Sequence, residues 1–554
     1  MEYKYYPMHM HIHAGCDYGS SMALNMYNAS LLGMKYIWFT DHDTRMGLRK
    51  NAVTGFSFDE PELVKNEEVG HHGFKVIDEK TEYSIDANEK TFTLYSHSAK
   101  SEEWQNSGVY FYSTGTRHTC SLASGVTLSV DLKHTELCEN SRLIFAVKLS
   151  QRPPDMANAY MLYVIGSTEG LQGEHIQIIS LDKQNGTVVM PISKDVSEDI
   201  SVGGTDNAFD TLYMVLQTKN GASARVELGK FNIQREKYGE ALRKELQKVA
   251  DRVGCHYGVK PFVSFEVSAA GEHKNCYGNV PLIEYHNHNY CVTEAEAIEY
   301  IENHKGIFAI NHPFAGTKFK RIGECTDEKY RVLFHEFLEE IAKSKALGAT
   351  LMEVGFPLGR IFPFEYYLKL WDMLSLKGIF VTGYGASDCH RNNEGWFDGN
   401  NFVAYIGVDS ELSHPIEAGA FTDAMKKGRV YTGNPVKLKG TIEFKTTDGY
   451  EMGSVLVGKN KVEICFSAKN ISPGWELRLV ENGRTIHSQK IETQNFEYTS
   501  VLELNEENVV FHRAELWDEE GRCVMLTNPI YIASSHFLEE HKNDARVCER
   551  SCMP

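Results

Sequence analysis

The 554-residue sequence predicts an α/β fold in which one strand–helix series is interrupted by an inserted β-sandwich and followed by a second β-rich unit. Three observations lead there. Residues 23–43 read as a helix followed by a short apolar strand with a polar end. From about Phe56 to residue 235 the texture changes to short alternating runs separated by Gly, Asn and Ser. From residue 236 to about Pro435 the α/β pattern resumes.

In the first part, Ala23 to Gly33 carries apolar residues at helical intervals and stops at Gly33, and Tyr36-Ile37-Trp38-Phe39 reads as a buried strand ending in Thr40-Asp41-His42-Asp43. Residues 1–50 offer only two strands, too few to bury a core alone, so they are read together with 236–435 as one α/β unit. The insertion, 51–235, contains runs such as Gly108-Val109-Tyr110-Phe111-Tyr112 and Thr211-Leu212-Tyr213-Met214-Val215-Leu216, the pattern of a β-sandwich. After it, Glu236 to Val253 places Tyr238, Leu242, Leu246 and Val249 on one helical face. Strands are expected at Phe262–Val267, Gly306–Ile310, Thr350–Val354 and Gly378–Thr382. Thr293 and Glu296 form a capping-box signature, and a long helix should run from about Asp327 to Leu347. Residues 436–535 read as a C-terminal β-sandwich with a hairpin turn at Glu481-Asn482-Gly483-Arg484, and 536–554 as a polar tail holding Cys548 and Cys552.

Composition narrows the function classes. With 42% hydrophobic and 24% charged residues the chain is an ordinary globular one, long enough for several cores. A formal charge of −18 argues against nucleic acid or an anionic membrane as partner, since both need clustered Lys and Arg. There is no signal-peptide pattern at the N-terminus and no apolar run long enough to span a bilayer. The 12 cysteines are scattered without CxxC pairs, so a reduced, cytoplasmic setting is expected.

The chemistry concentrates at strand ends. His11 and His13 project to one side of an extended segment, because strand side chains repeat every two residues. His-x-His alone is common. The neighbouring groups give it weight: Asp41, His42 and Asp43 close one strand, Glu266 another, with His273 soon after. Asn311-His312-Pro313 follows a third, and Asp388 and His390 sit on one face after a fourth. Each group alone has a bland reading as a capping turn, a solvent-facing end or a salt bridge. Together they describe a multinuclear site with mixed nitrogen and oxygen ligands, suited to Zn²⁺, Mn²⁺ or Fe²⁺ rather than Ca²⁺ alone. Arg45 and Arg391 lie beside the clusters and could neutralise an anionic leaving group or phosphate, although each is more often a rim salt bridge. His286 and His288 form another His-x-His, expected near the rim but outside the ligand set. Glu353 ends a strand and would either orient a histidine or serve as a buried structural acid.

In order and spacing, His11-Ile12-His13, Thr40-Asp41-His42, Glu266, Asn311-His312-Pro313 and Ser387-Asp388-Cys389-His390 resemble the motifs of the PHP (polymerase and histidinol phosphatase) metallohydrolases. Gly271-x-His273, Leu351-Met352-Glu353-Val354 and Lys427-Gly428-Arg429-Val430-Tyr431 further resemble the branch that includes carbaryl hydrolase. The resemblance implies a distorted (β/α)7 TIM-like barrel holding two or three divalent transition metals at the rim of its strands. His11, His13, Glu266 and Asp388 would hold one metal, Glu266, His273 and His312 a second, and His42 with His390 a third. The sequence departs from the family where a further ligand is usual: Tyr18 and Gly19 stand there, with Asp17 offset, so Asp17, Asp41 and Asp43 are candidate substitutes. Asp41, Asp43, Arg45 and Arg391 are the candidate catalytic side chains. The implied reaction is hydrolysis by a metal-activated water, whose pKa falls to about 7 on binding, most simply at a small-molecule phosphoester. A carbamate, ester or amide is the alternative electrophile, and a non-catalytic carbohydrate-binding protein is the rival class. The sandwiches are equally compatible with assembly into a homo-oligomer.

Overall fold

The computed structural model describes residues 2–16, 20–47, 53–56, 73–112, 120–182, 184–196, 204–268, 273–283, 293–314, 327–355, 363–390, 395–398, 401–504 and 508–552. The elements that carry the site are, in order, β1 (Tyr3–Ile12), α1 (Met22–Leu31), β2 (Tyr36–Phe39), α2 (Asp43–Gly47), α3 (Gly239–Tyr257), β3 (Lys260–Val263), β4 (Phe265–Val267), β5 (Lys274–Tyr277), α4 (Glu294–Asn303), β6 (Ile307–Ile310), α5 (Asp327–Lys343), β7 (Leu351–Gly355), α6 (Phe364–Leu376), β8 (Thr382–Gly385), β9 (Val403–Asp409), α7 (Ala418–Lys426) and β10 (Val430–Gly433).

Local chemistry accounts for several boundaries. The Ser21 hydroxyl accepts from the Leu24 amide and starts α1. Thr293 and Glu296 close a reciprocal capping box on α4, while α3 ends where Gly258 takes φ +66. The strand expected over 262–267 divides at Ser264, whose amide donates to Phe39 O at 2.9 Å, and its two halves enter different sheets.

In the first of these sheets β2 lies between β1 and β3, parallel to both, with Ile37 opposite His9 on one side and Pro261 on the other. Strands from before and after the insertion are thus hydrogen-bonded neighbours. β9 adds to β1 antiparallel, followed by β10. In the second sheet β4, β5 and β6 pair antiparallel and β6, β7 and β8 parallel. Two isolated parallel bridges, His42 with Glu266 and Ile12 with Cys389, join chain segments at the ends of these strands.

Residues 53–234 contribute a seven-stranded and a six-stranded sheet. Their facing side chains, among them Phe145, Tyr163 and Met214 from one and Leu128, Val130 and Val226 from the other, share one apolar cluster, the alternation that period-two patterning produces. The insertion is tied to α1 by the Asp206 carboxylate, which accepts from the Ala23 amide at 3.1 Å and from Arg152 Nη1 at 2.7 Å.

After residue 435 the first sheet continues, while Thr441–Thr446, Lys461–Lys469 and Phe496–Glu503 form a separate three-stranded sheet whose Phe444, Ile464 and Phe466 share an apolar cluster with Leu477, Leu479 and Leu516. β10 pairs with Cys523–Thr527, and the same sheet runs on through Val509–Trp517, Ile530–Ala533 and Val455–Val457. One apolar cluster extends from Ile12 to Ile532. In the described part of 536–554, Ser535–His541 and Ala545–Arg550 are helical and Ser551–Cys552 pairs with Val455–Val457. Arg550 is buried and donates to Lys426 O and Thr382 Oγ1, both on the α/β part. No described helix is long and apolar enough to cross a membrane.

Candidate metal centre

At the C-terminal end of β1 the two-residue period turns His11 and His13 to one side, both fully buried, with their Nε2 atoms 3.0 Å apart. Glu266, on β4, lies at the middle of the cluster and is also fully buried. Its Oε1 is 3.6 Å from His11 Nε2, 3.1 Å from His273 Nδ1 and 3.7 Å from His312 Nε2, and its Oε2 is 3.5 Å from His13 Nε2 and 2.7 Å from His42 Nδ1. Asp388 approaches from beyond β8, with Oδ1 3.3 Å from His11 Nε2 and 3.2 Å from His13 Nε2, and Oδ2 3.9 Å from His312 Nε2. His390 stacks on His13 with ring centroids 4.1 Å apart.

Among the described residues of this cluster, three sets of donor atoms lie close enough to hold an ion: His11, His13 and Asp388; His42, Glu266 and His273; and His13, His42 and His390. All eight expected histidine and carboxylate ligands outside residue 17 therefore meet in one place. Their grouping differs: Glu266 is not in the set of His11, His13 and Asp388, His42 takes the place of His312 beside Glu266 and His273, and His13 joins His42 and His390. The donor chemistry fits a cation. His11 Nδ1 is 2.6 Å from Glu353 Oε1, so its hydrogen goes there and its Nε2 lone pair faces His13, Asp388 and Glu266. Acceptors converging on acceptors need a positive charge among them.

Without a metal that charge falls to protons. Burial works against a charged His11, but Glu353, Asp388 and Glu266 outweigh it and raise the imidazole to about 9; His42 is likewise raised to about 9 against burial, chiefly by Glu266. His13 and His390 are pushed down, to about 4 and about 3, by burial and by neighbouring imidazoles. Burial alone would raise Glu266, yet His273, His42 and His11 hold it well below the usual carboxylate range.

A supporting layer holds these groups. Glu353 accepts from His11, from the Tyr384 hydroxyl at 3.1 Å and from the His312 amide at 2.5 Å, which gives it the orienting role. Asn311 Nδ2 donates to Glu266 Oε1 at 2.7 Å while its Oδ1 accepts from the Asn275 amide at 2.9 Å. Two ligands have left-handed backbone, His312 at φ +26 and Asp388 at φ +52, conformations that cost energy and persist where surrounding structure demands them.

Asp41 and Asp43, expected as catalytic side chains, are both buried and accept from backbone amides. Asp41 accepts from the amides of Ala14 at 2.6 Å and Cys16 at 3.4 Å, and Asp43 accepts from the amides of Thr44 and Ser268 and from the Ser268 hydroxyl. Burial raises them to about 7 and about 6 against these bonds. They brace the loops that carry the ligands. Asp17, Arg391, His286 and His288 lie outside the described residues, as does the side chain of Arg45.

Two contributors had no role assigned from the sequence: His9, and Asn311, which was noted only as part of Asn311-His312-Pro313. His9 shares the face of His11, two residues earlier, and its buried ring lies 2.8 Å from Ser387 Oγ, beside Asp388. Its signal was the longer alternation His9-x-His11-x-His13. Gly395, at φ +73, permits this arrangement, because a Cβ there would stand 2.3 Å from Ser387 Cβ.

No protein-family model and no curated protein matches the chain. Among solved structures, a two-domain protein from Bacteroides vulgatus containing a predicted PHP-like metal-dependent phosphoesterase is similar over 51% of this chain and 79% of its own, at 11% identity and TM-score 0.25. A family 12 xyloglucanase from Bacillus licheniformis matches over 29% of this chain and 99% of its own, at 7% identity and TM-score 0.21. A family 11 carbohydrate-binding module from Clostridium thermocellum, in complex with a mixed-linked tetrasaccharide, matches over 34% and 91%, at 12% identity and TM-score 0.17. With TM-scores this low, the metal centre rests on its own geometry.

Proposed function

We propose that the chain is a metal-dependent hydrolase of a small-molecule phosphoester, working at a di- or trinuclear centre of Zn²⁺, Mn²⁺ or Fe²⁺. The observation that carries this reading is Glu266, a buried carboxylate within 3.7 Å of five imidazoles. A cation bound among these donors accounts for that convergence. Such cations, when bound, supply a water of lowered pKa and positive charge for an oxygen that develops negative charge, a pairing suited to displacement at phosphorus.

The residues have distinct parts in this. His11, His13 and Asp388 would hold one ion, His42 and His273 another, with Glu266 between them and His312 completing the set; His390 with His13 and His42 would hold a third. Glu353 keeps the His11 lone pair aimed inward, and Asn311 fixes the Glu266 carboxylate. The reading carries with it a distorted (β/α)7 barrel formed by the two sheets, which the bridges His42–Glu266 and Ile12–Cys389 support.

Turnover of aryl phosphates and aryl carbamates by the manganese- and zinc-loaded protein tests the reaction. Aryl phosphates should be the better substrates by at least about tenfold in kcat/KM, or about 1.4 kcal/mol. A preference of that size for carbamates would replace the phosphoester reading with carbamate hydrolysis at the same centre.

A further inference from the structure

Away from the metal centre, helix α6 and the C-terminal sheet enclose a groove of about 640 Å³, within the size range of small-molecule sites. Its sheet wall is set by register. Leu477, Leu479 and Ala514 turn inward to the core, while Arg478, Val480, Arg513, Glu515 and Trp517 alternate onto the opposite face, with Arg478 opposite Glu515 and Val480 opposite Arg513. Its far end is the hairpin tip. Asn482 and Gly483 both have positive φ, the turn expected from Glu481-Asn482-Gly483-Arg484, and a Cβ at Gly483 would stand 3.2 Å from the Asp372 carboxylate of α6. The tip is thus packed directly against the helix.

The floor is a satisfied ionic network. Arg513 is almost fully buried and donates to Asp372 and, from Nη2, to Glu515 Oε1 at 2.7 Å; Trp517 Nε1 donates to Glu515 Oε2 at 2.8 Å. Both acids are therefore spent on Arg513 and Trp517. The guanidinium of Arg478 lies 4.3 Å over the Trp517 ring, with Nε on Glu476, and Arg484 is exposed on the hairpin with no partner among the described residues. In a chain of net charge −18, the groove is lined by five basic and three acidic side chains, a surplus of two; Arg513 is taken up by Asp372 and Glu515, and Arg478 also meets Glu476. An excess of guanidinium on a rigid wall next to an aromatic ring is recognition chemistry for an oxyanion carried on a flat organic body.

We propose that this groove is a binding site for a small organic anion, a phosphoryl or carboxylate group attached to an apolar or aromatic body, with Arg478 and Arg484 as the anion-binding side chains. It stands independently of the reaction proposed for the metal centre. The probes are phenylphosphonate, whose C–P bond is not a phosphoester, and benzoate, with benzyl alcohol as the uncharged control. Each is titrated into the full-length metal-loaded chain by calorimetry and tryptophan fluorescence. At least one anion should saturate with Kd below about 1 mM, or about 4 kcal/mol of binding, and the stronger of the two identifies the acid group. Arg484→Gln and Arg478→Gln should each weaken it by about tenfold or more, the loss of one charge-assisted contact, with metal content unchanged. If Arg478→Gln disturbs folding by freeing Trp517, the exposed Arg484→Gln carries the test. No saturation by either anion, equal binding of benzyl alcohol, or anion affinity unchanged in Arg484→Gln overturns the proposal.

Discussion

Replacing Glu353 by Gln preserves shape but removes the charge of a buried carboxylate whose three neighbours are all donors. His11 Nδ1–H at 2.6 Å and Tyr384 O–H at 3.1 Å meet Oε1, and the His312 amide at 2.5 Å meets Oε2. An amide has one acceptor oxygen. Turned one way, its NH2 meets the His312 N–H. Turned the other, it meets Tyr384 and drives His11 into the tautomer with hydrogen on Nε2, the atom that faces the cluster. Hydrogen bonds to a charged group are worth about 1.5–3 kcal/mol, so the metal-free protein should lose about 2–3 kcal/mol of stability. Metal affinity should fall by about 10- to 100-fold, the usual effect of a lost ligand-orienting partner, or about 1.4–2.7 kcal/mol. Competition with a chromophoric chelator measures the affinity and urea unfolding of the metal-free chain the stability. Zinc affinity within about threefold of the parent would refute the orienting role, since a carboxylate that merely filled space would be replaced isosterically.

Asp41→Asn should keep kcat within about tenfold of the parent, whereas loss of a general acid or base costs about 10²–10⁴. The same substitution should lower stability by about 1 kcal/mol as its NH2 faces the Ala14 or Cys16 amide, read by thermal melting. Asp518 supplies a pH test far from the centre. Burial would raise its carboxyl, but Lys437 and Arg522 hold it at about 2, below its unfolded value of about 3.9. Its contribution is therefore complete above about pH 4 and lost as the pH falls towards 2, and the partly exposed Lys437 and Arg522 limit it to about 1 kcal/mol. Urea unfolding should show Asp518→Asn less stable than the parent at pH 6, with the gap closing below pH 4.

Signals that depend on neighbours in sequence were readable. The alternation of His11 and His13, the Thr293–Glu296 capping box and the Asn482-Gly483 turn are each decided within a few residues, and the structure has all three. The strand-end position of Glu266, His312 and Asp388 could be read from the apolar runs before them, although β8 begins four residues later than the run suggests, at Thr382. Long-range pairing left no local trace. That Cys523–Thr527 adds to β10, and that Arg550 reaches across to Thr382 and Lys426, depends on partners about a hundred residues or more away. Likewise, residue type and position suggested a catalytic role for Asp41 and Asp43, while the amides of Ala14 and Ser268 that they accept from are visible only in the fold.

The central claim is that the cluster around Glu266 is a metal centre, and its most direct measurement is metal content per chain. The parent and Glu266→Gln would each be reconstituted with Mn²⁺ or Zn²⁺, dialysed and analysed by inductively coupled plasma mass spectrometry. The parent should retain at least about two ions per chain and Glu266→Gln fewer than about one, because the carboxylate that spans the histidine groups is gone. Fewer than about one ion in the parent, or the same content in both proteins, would contradict the account.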